Sequence, residues 1–343
     1  MPLKKFLLFS FIFFCISAGS FLYIQSPEKY TGKEKVARLE AQSLDKPIEF
    51  IVTGDIMLGR FVEVLMDGNG EGYPFKGLAG FLRQVHFVVG NLEGPIVLDH
   101  TPTPAFDFKF SFASSTARLL KENSISVVSL ANNHALDQGV MGYKNTKELL
   151  EKMNVEYFGH PVSVGNISVL HKNIENKKIT FIGLNATWPY EEKLFEDVVK
   201  KESVSGDFVV VVIHWGEEYK LTSNDEQKSL AHVFIDSGAD LVVGHHPHVV
   251  QEIEMYKDRI IFYSLGNFIF DQFFSKNVME GLLVKVSLED EKVQYELFPT
   301  ISLRSQPSVM EGNERTRFLD SLASKSSVSL LDSIRKGLVE SVR

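Results

Sequence analysis

Cysteine is almost absent: Cys15 alone in 343 residues excludes an intramolecular disulfide and a cysteine-rich zinc centre. Any metal site must therefore draw on His, Asp, Glu, Asn and backbone oxygens. An excess of positive charge is also missing, because 36 Lys and Arg oppose 44 Asp and Glu for a formal charge of −8. That balance argues against a nucleic-acid partner, whose phosphates require a basic footprint. No P-loop signature, internal repeat or low-complexity tract occurs, so nucleotide cradling by a glycine loop has no support. What is present, 44% hydrophobic and 23% charged residues, is the composition of a globular chain of one large or two ordinary domains.

One stretch lacks charge altogether. Lys4 and Lys5 precede Phe6 to Ile24 (FLLFSFIFFCISAGSFLYI), nineteen uncharged residues with six of the 27 Phe. Such a helix spans a hydrocarbon core of about 30 Å, and the flanking lysines hold the N-terminus in the cytoplasm. A cleaved signal peptide, with small residues Ser17 and Gly19 before the cut, competes with an uncleaved signal anchor. The uninterrupted apolar run through Phe21, Leu22, Tyr23 and Ile24 favours the anchor. The expectation is a cytoplasmic stub at 1–5, a single-pass transmembrane anchor at 6–24 and a polar stalk at 25–47, with the remainder on the extracellular side of the cell membrane. Residues 1–30 carry +2 through Lys4, Lys5, Lys29 and Glu28, which leaves the exported part at −10.

From Ile48 the pattern changes. Short β-branched or aromatic runs recur at 48–54, 86–91, 125–131, 178–184, 207–214, 239–245 and 259–267, as strands buried on both faces do. Helical patterns lie between them at 115–124, 142–153, 190–201 and 224–237, the last capped by Asn224 or Asp225. This alternation predicts an α/β layered domain. Residues 281–302 alternate in polarity around a turn at Glu289 and Asp290, as an antiparallel hairpin would. Residues 303–343 are polar and Ser-rich and read as a weakly helical C-terminal appendage.

Polar residues concentrate where the apolar runs end. Six runs close on Gly54-Asp55, Gly90-Asn91-Leu92-Glu93, Asn132-Asn133-His134, His214-Trp215-Gly216-Glu217-Glu218, Gly244-His245-His246-Pro247-His248 and Gly266-Asn267. In open α/β sheets the crevice outside the carboxyl ends of the strands is where ligands bind. Taken singly, Asp55 reads as a turn or cap residue, Asn132 to His134 as a helix cap, Asn91 and Glu93 as turn residues and His214 as a core histidine. Trp215 and Tyr219 read as packing or as pocket walls. GHHPH resists dismissal, because three histidines in four positions rarely serve packing and imidazole is a common metal ligand. His86, His100, His160, His171 and His232 have no such neighbours and read as structural or solvated.

GDIMLGR (54–60), NLEGPI (91–96), SLANNHALDQG (129–139), HWGEEY (214–219), GADLVVGHHPHVVQ (238–251) and SLGNFIFDQ (264–272), in this order, resemble the motif set of the CapA family of poly-γ-glutamate capsule biosynthesis, whose domain is similar to the calcineurin-like metallophosphatases. The resemblance covers about residues 48–302. It implies a four-layer α-β-β-α sandwich with a metal site at the strand ends. It further implies metal ligands at Asp55, Asn91, Glu93, Asn133, His214, His246 and His248, with His134 and Asn133 as catalytic residues over the reacting group. Met57 stands where the metallophosphatase pattern has a histidine, and Asn91 with Glu93 replaces its bridging Asp. A site with one or two ions of Mn, Zn, Fe or Mg follows from such O and N ligands.

The implied function is synthesis, export or anchoring of an anionic capsule polymer of the poly-γ-glutamate type, alongside other membrane proteins of capsule synthesis. Arg60, Lys109 and Lys220 are expected contacts for polymer carboxylates, on charge and nearness to the motifs alone. Two other roles stay open: a metal-dependent hydrolase of the cell envelope, acting on phosphoester or γ-glutamyl amide bonds, and a non-catalytic scaffold of a capsule-synthesis complex.

Overall fold

The computed structural model describes residues 47–104, 107–205, 207–289 and 292–342. The stub and anchor, and the stalk up to residue 46, lie outside the described residues. Among the described residues, no helix is long and apolar enough to cross a membrane.

In chain order the elements run β1 (Ile48–Ile56), α1 (Arg60–Asn69), β2 (Phe87–Leu92), α2 (Thr116–Glu122), β3 (Ile125–Ser129), α3 (Gly139–Lys152) and β4 (Glu156–Phe158). They continue as β5 (Val169–Ile174), β6 (Lys177–Asn185), α4 (Glu192–Ser203), β7 (Phe208–His214), α5 (Asp225–Asp236), β8 (Leu241–His245), β9 (Ile253–Tyr256), β10 (Arg259–Phe262) and β11 (Asn267–Ile269). The last group is β12 (Glu280–Leu288), β13 (Lys292–Leu303), β14 (Gln306–Val309), α6 (Gly312–Lys325), α7 (Leu331–Lys336) and β15 (Leu338–Val342).

These strands form two sheets. The first has the order β14-β13-β12-β1-β2-β3-β4, with β11 paired to β1 and β15 to β13. The second has the order β5-β6-β7-β8-β10-β9. β1 to β4 are parallel, as are β6, β7, β8 and β10, so each sheet collects several carboxyl ends on one edge. The hairpin expected at 281–302 is the antiparallel pair β12 and β13.

The valine run of β7 explains the layering. Side chains alternate across a strand, so Phe208, Val210 and Val212 face the first sheet while Val209, Val211 and Ile213 face helices. The first set joins Phe50 and Val52 of β1 and Phe87 and Val89 of β2 in the core between the sheets. There the Phe50 and Phe87 rings stack at 5.0 Å and meet Phe181 edge-on. Leu119 and Leu120 of α2 and Leu150 of α3 cover the outer face of the first sheet. Phe195 and Val199 of α4 and Leu230 and Phe234 of α5 cover the second. The architecture is the expected four-layer α-β-β-α sandwich. Each large side chain removed from water contributes roughly 1.5–3 kcal/mol, which is why unbroken Val, Ile and Phe runs select this double-sided burial. Asn224 caps α5 in a reciprocal capping box with Gln227.

Residues 303–342 do not form an appendage. Phe318, Leu319 and Leu322 of α6, Ile334 of α7 and Val339 of β15 are buried in the core between the sheets. β15 pairs antiparallel with β13, and the Arg259 guanidinium of β10 donates to the Val342 carbonyl, tying this segment to both sheets. The polar sequence concealed one apolar stripe on α6, which is enough to close the end of the sandwich.

Candidate functional site

Four parallel strands deliver their last residues to one place. On the first sheet Asp55 lies between Asn91 of β2 and Asn267 of β11 in register, and on the second His214 lies beside His245. Glycine precedes Asp55 and His245 for a steric reason. A Cβ on Gly54 would sit 2.0 Å from the Gly266 carbonyl oxygen, and one on Gly244 would sit 2.0 Å from that of Tyr263. After β8 the backbone turns through left-handed conformations at His246 (φ 96°) and His248 (φ 57°). Such strain in non-glycine residues is characteristic of sites that aim side chains for a purpose.

Two groups of ligand-competent atoms result. Single atoms from Asp55, Glu93 and His248 lie within 4.8 Å of one another, and so do atoms from Glu218, His246 and His248. Asp55, Glu93 and His248 are almost wholly buried, whereas Glu218 is exposed. His214 extends the second group: its Nε2 lies 2.8 Å from Asn133 Oδ1, and its ring centroid lies 4.8 Å from that of His246. Glu93 Oε1 and His246 Nδ1 are buried and have no hydrogen-bond partner. Buried polar atoms in native proteins are ordinarily satisfied, so two orphans facing carboxylates and imidazoles fit a bound cation.

Asn91 has a different place from the ligand role expected of it. Asn132 donates to the Leu92 carbonyl and accepts from the His134 amide, which fixes the direction of its side-chain amide. Its Nδ2 therefore donates to Asn91 Oδ1 at 3.0 Å. Asn91 is left to present its own NH₂ to Asp55 Oδ1 at 2.8 Å and to Glu93 Oε2 at 3.3 Å. An amide NH₂ has no lone pair for a metal, so Asn91 positions two carboxylates and is not itself a ligand.

Asp55, Glu93, Asn133, His214, His246 and His248 are thus brought together as expected, and His134 joins them. Its Nε2 lies 4.0 Å from Glu93 Oε1, its Nδ1 meets Asp137 Oδ2 at 2.8 Å, and its ring stacks on Phe110. The three cations expected to meet polymer do not share this setting. Arg60 is held by a two-pronged pair with Asp271 and stacked against Phe110 and Phe270. Lys109 is exposed in the loop before α2, and exposed Lys220 lies 3.9 Å from Glu217. Met57 is buried, and its sulfur accepts from the Gly59 amide.

Asn132, Glu218 and Asn267, which stand in the polar clusters at the run ends, take part in the site, and Asp137 joins them without having been singled out in the sequence. His248 Nδ1 contacts Asn267 Oδ1 at 3.0 Å and Asp55 Oδ2 at 3.3 Å. The spacing His134-x-x-Asp137 at the start of a helical segment was the available signal for Asp137. His245 points away, with Nε2 3.0 Å from the Thr53 carbonyl.

Burial and mutual charge set the protonation states. Burial and the neighbouring Asp55 push Glu93 well above the usual carboxylate range. Burial also acts to raise Asp55, but the His248 hydrogen bond and the surrounding imidazoles outweigh it and hold Asp55 well below that range. Burial and His246 hold His214 low, and burial with His248 pushes His246 down to about 4. Both are therefore neutral imidazoles near pH 7, the form that binds metals. Burial opposes protonation of His248, yet Glu93 and the Asp55 hydrogen bond carry it up to about 9.

Fold and site together define a four-layer α/β protein with a buried cluster of carboxylates, imidazoles and amides at its converging strand ends. The chain belongs to the family described as bacterial capsule synthesis protein PGA_cap, whose model matches residues 49–272. It is 31% identical over 279 residues to the capsule biosynthesis protein CapA of Bacillus anthracis, a match covering 75% of this chain and 67% of that one. With the PGA biosynthesis protein CapA of Bacillus subtilis it shares 32% over 260 residues, covering 71% and 68% respectively. A solved structure described as a novel phosphatase of Mycoplasma pneumoniae is similar at a TM-score of 0.45 and 14% identity, over 77% of this chain and 91% of that one.

Proposed function

We propose that this protein performs a divalent-metal-dependent step on a γ-glutamyl capsule polymer outside the cytoplasmic membrane, to which residues 6–24 anchor it. The observation that carries the reading is the pair of buried atoms without a hydrogen-bond partner, Glu93 Oε1 and His246 Nδ1, among the carboxylates and imidazoles of the cluster. Asp55, Glu93 and His248 would hold one cation; Asn133, His214 and His246, with Glu218 beside them, would complete a second position. Mn, Zn, Fe or Mg suits these oxygen and nitrogen donors. When bound, such an ion supplies Lewis-acid polarisation of an amide carbonyl or of water.

The chain's own residues do the rest. Asn91 holds Asp55 and Glu93 in a fixed relation through its NH₂. Asp137 accepts from His134 Nδ1–H, which turns the lone pair of His134 Nε2 to the cluster, where it takes a proton from the attacking water and passes it to the departing nitrogen. Phe110 stacks on the His134 ring and shields one of its faces from solvent. Membrane proteins of capsule synthesis are the expected partners.

The test uses the full chain in detergent. Bound metal is measured by elemental analysis for wild type and His246→Ala, and both are assayed on a γ-glutamyl peptide and on a generic phosphodiester. Metal near or above about one equivalent, lost in the variant together with γ-glutamyl turnover, supports the reading. Failure of the wild type to retain any divalent metal under any loading condition refutes it.

A further inference from the structure

Helix α6 places Arg317 and Lys325 on one face at i and i+8, where they line a cavity of about 290 Å³. Phe318 and Leu322 form its apolar wall, and Lys276 and Glu280 stand opposite. Lys325 is the unusual member. Its ammonium reaches in from the helix and donates to the carbonyls of Leu221 and Val250. Those two residues follow Glu218 and His248, so Lys325 braces both loops that carry the cluster.

Lysine is rarely buried without a counter-charge. The two carboxylates that act on Lys325 are engaged elsewhere: Glu252 accepts from the Ser223 amide and hydroxyl, and Glu280 pairs with Lys276 at 2.9 Å. Burial pushes Lys325 down to about 8, which still leaves it mostly charged at neutral pH. Arg317 makes one hydrogen bond to a carbonyl of its own helix and is exposed. The cavity therefore holds a surplus of positive charge beside an apolar wall, on a chain whose net charge is negative.

We propose that this cavity is a carboxylate subsite for an acidic polymer, with Lys325 and Arg317 meeting the anionic group and Phe318 and Leu322 packing its methylene stem. It rests on the reading above that the substrate is a γ-glutamyl chain, and it adds where that chain is gripped beside the metal cluster. The α-carboxylates of such a chain recur at regular intervals, so one unit held at Lys325 presents its neighbours to the loops carrying Glu218 and His248.

The experiment is calorimetric titration of the full chain in detergent with an oligo-γ-glutamate and with its neutral α-carboxamide analogue, in the presence and absence of EDTA. Wild type binds the acid and not the amide. Lys325→Met weakens binding about tenfold or more, and Arg317→Gln, at an exposed position that leaves the fold intact, weakens it about threefold. His246→Ala with EDTA retains the part of the binding that the two pocket variants lose. Equal binding by wild type and both pocket variants overturns the subsite while leaving the proposed function standing. A wild type that binds no oligomer overturns both. An oligophosphate of equal charge that binds as tightly as the oligo-γ-glutamate overturns the carboxylate assignment.

Discussion

Replacing Glu93 with Gln separates the two things its carboxylate does. Without metal, Glu93 is a buried acid beside Asp55, and burial with that neighbour disfavours its charged form. The amide keeps an oxygen to accept from Asn91 Nδ2 and removes the repulsion, so at pH 7.5 with EDTA the variant is no less stable than wild type. With metal the order reverses. A ligand that binds only the native state stabilises it by RT ln(1 + [L]/Kd), about 2.7 kcal/mol at a hundredfold excess over Kd. For a domain of this size that raises Tm by roughly 4 °C. Glu93→Gln discards a donor whose Oε1 has no hydrogen-bond partner, so most of that rise disappears. Calorimetric scans of both proteins, with EDTA and with Mn or Zn, read the crossing directly. An equal metal-induced rise in both proteins would refute the ligand role, and a metal-free variant several kcal/mol below wild type would refute the electrostatic argument.

The remaining expectations concern residues around the cluster. Arg60→Ala strips the partner from buried Asp271 and costs about 3 kcal/mol in urea unfolding, yet it leaves oligo-γ-glutamate affinity unchanged; a loss of affinity without a loss of stability would restore Arg60 as a polymer contact. Leu319→Ala, in the core between the sheets, costs about 2–5 kcal/mol in the same measurement, whereas an appendage would tolerate it. Lys325 supplies a pH dependence. Its native value of about 8 lies below the ordinary 10.5, so between those values the unfolded chain binds the extra proton and stability rises with pH. Glu252 and Glu280 oppose this shift without cancelling it. Relative to Lys325→Met, wild type gains about 2–3 kcal/mol from pH 7 to pH 10, and a constant difference between the two would contradict the buried charge.

Strands were legible because a run such as VVVVI at 209–213 has no stable home except between two apolar layers. The cluster was legible at Asp55, His214, His246 and His248 because polar residues directly after such runs sit at carboxyl edges in any parallel arrangement. The positioning role of Asn91 was not legible, because the direction of its amide depends on Asn132, forty-one residues away, and on where Asn132 finds its own partners. The pairing of Arg60 was not legible for a similar reason: its partner Asp271 follows β11 and is remote in sequence. The apolar stripe of α6 was diluted by Ser, Asp and Arg on its other faces and read as surface.

The sequence by itself determined the alternation of strands and helices, the family and the chemical character of the cluster, since these follow from periodicity and from residue type at strand ends. Tertiary structure decided which polar atoms face each other, which are satisfied and which are left without partners. It also decided that the C-terminal helix closes the sandwich and lines a cationic cavity. Hydrogen bonding and burial are properties of pairs distant in the chain, and no local pattern encodes the distance between Glu93 and His248 or the engagement of Glu252 and Glu280 away from Lys325.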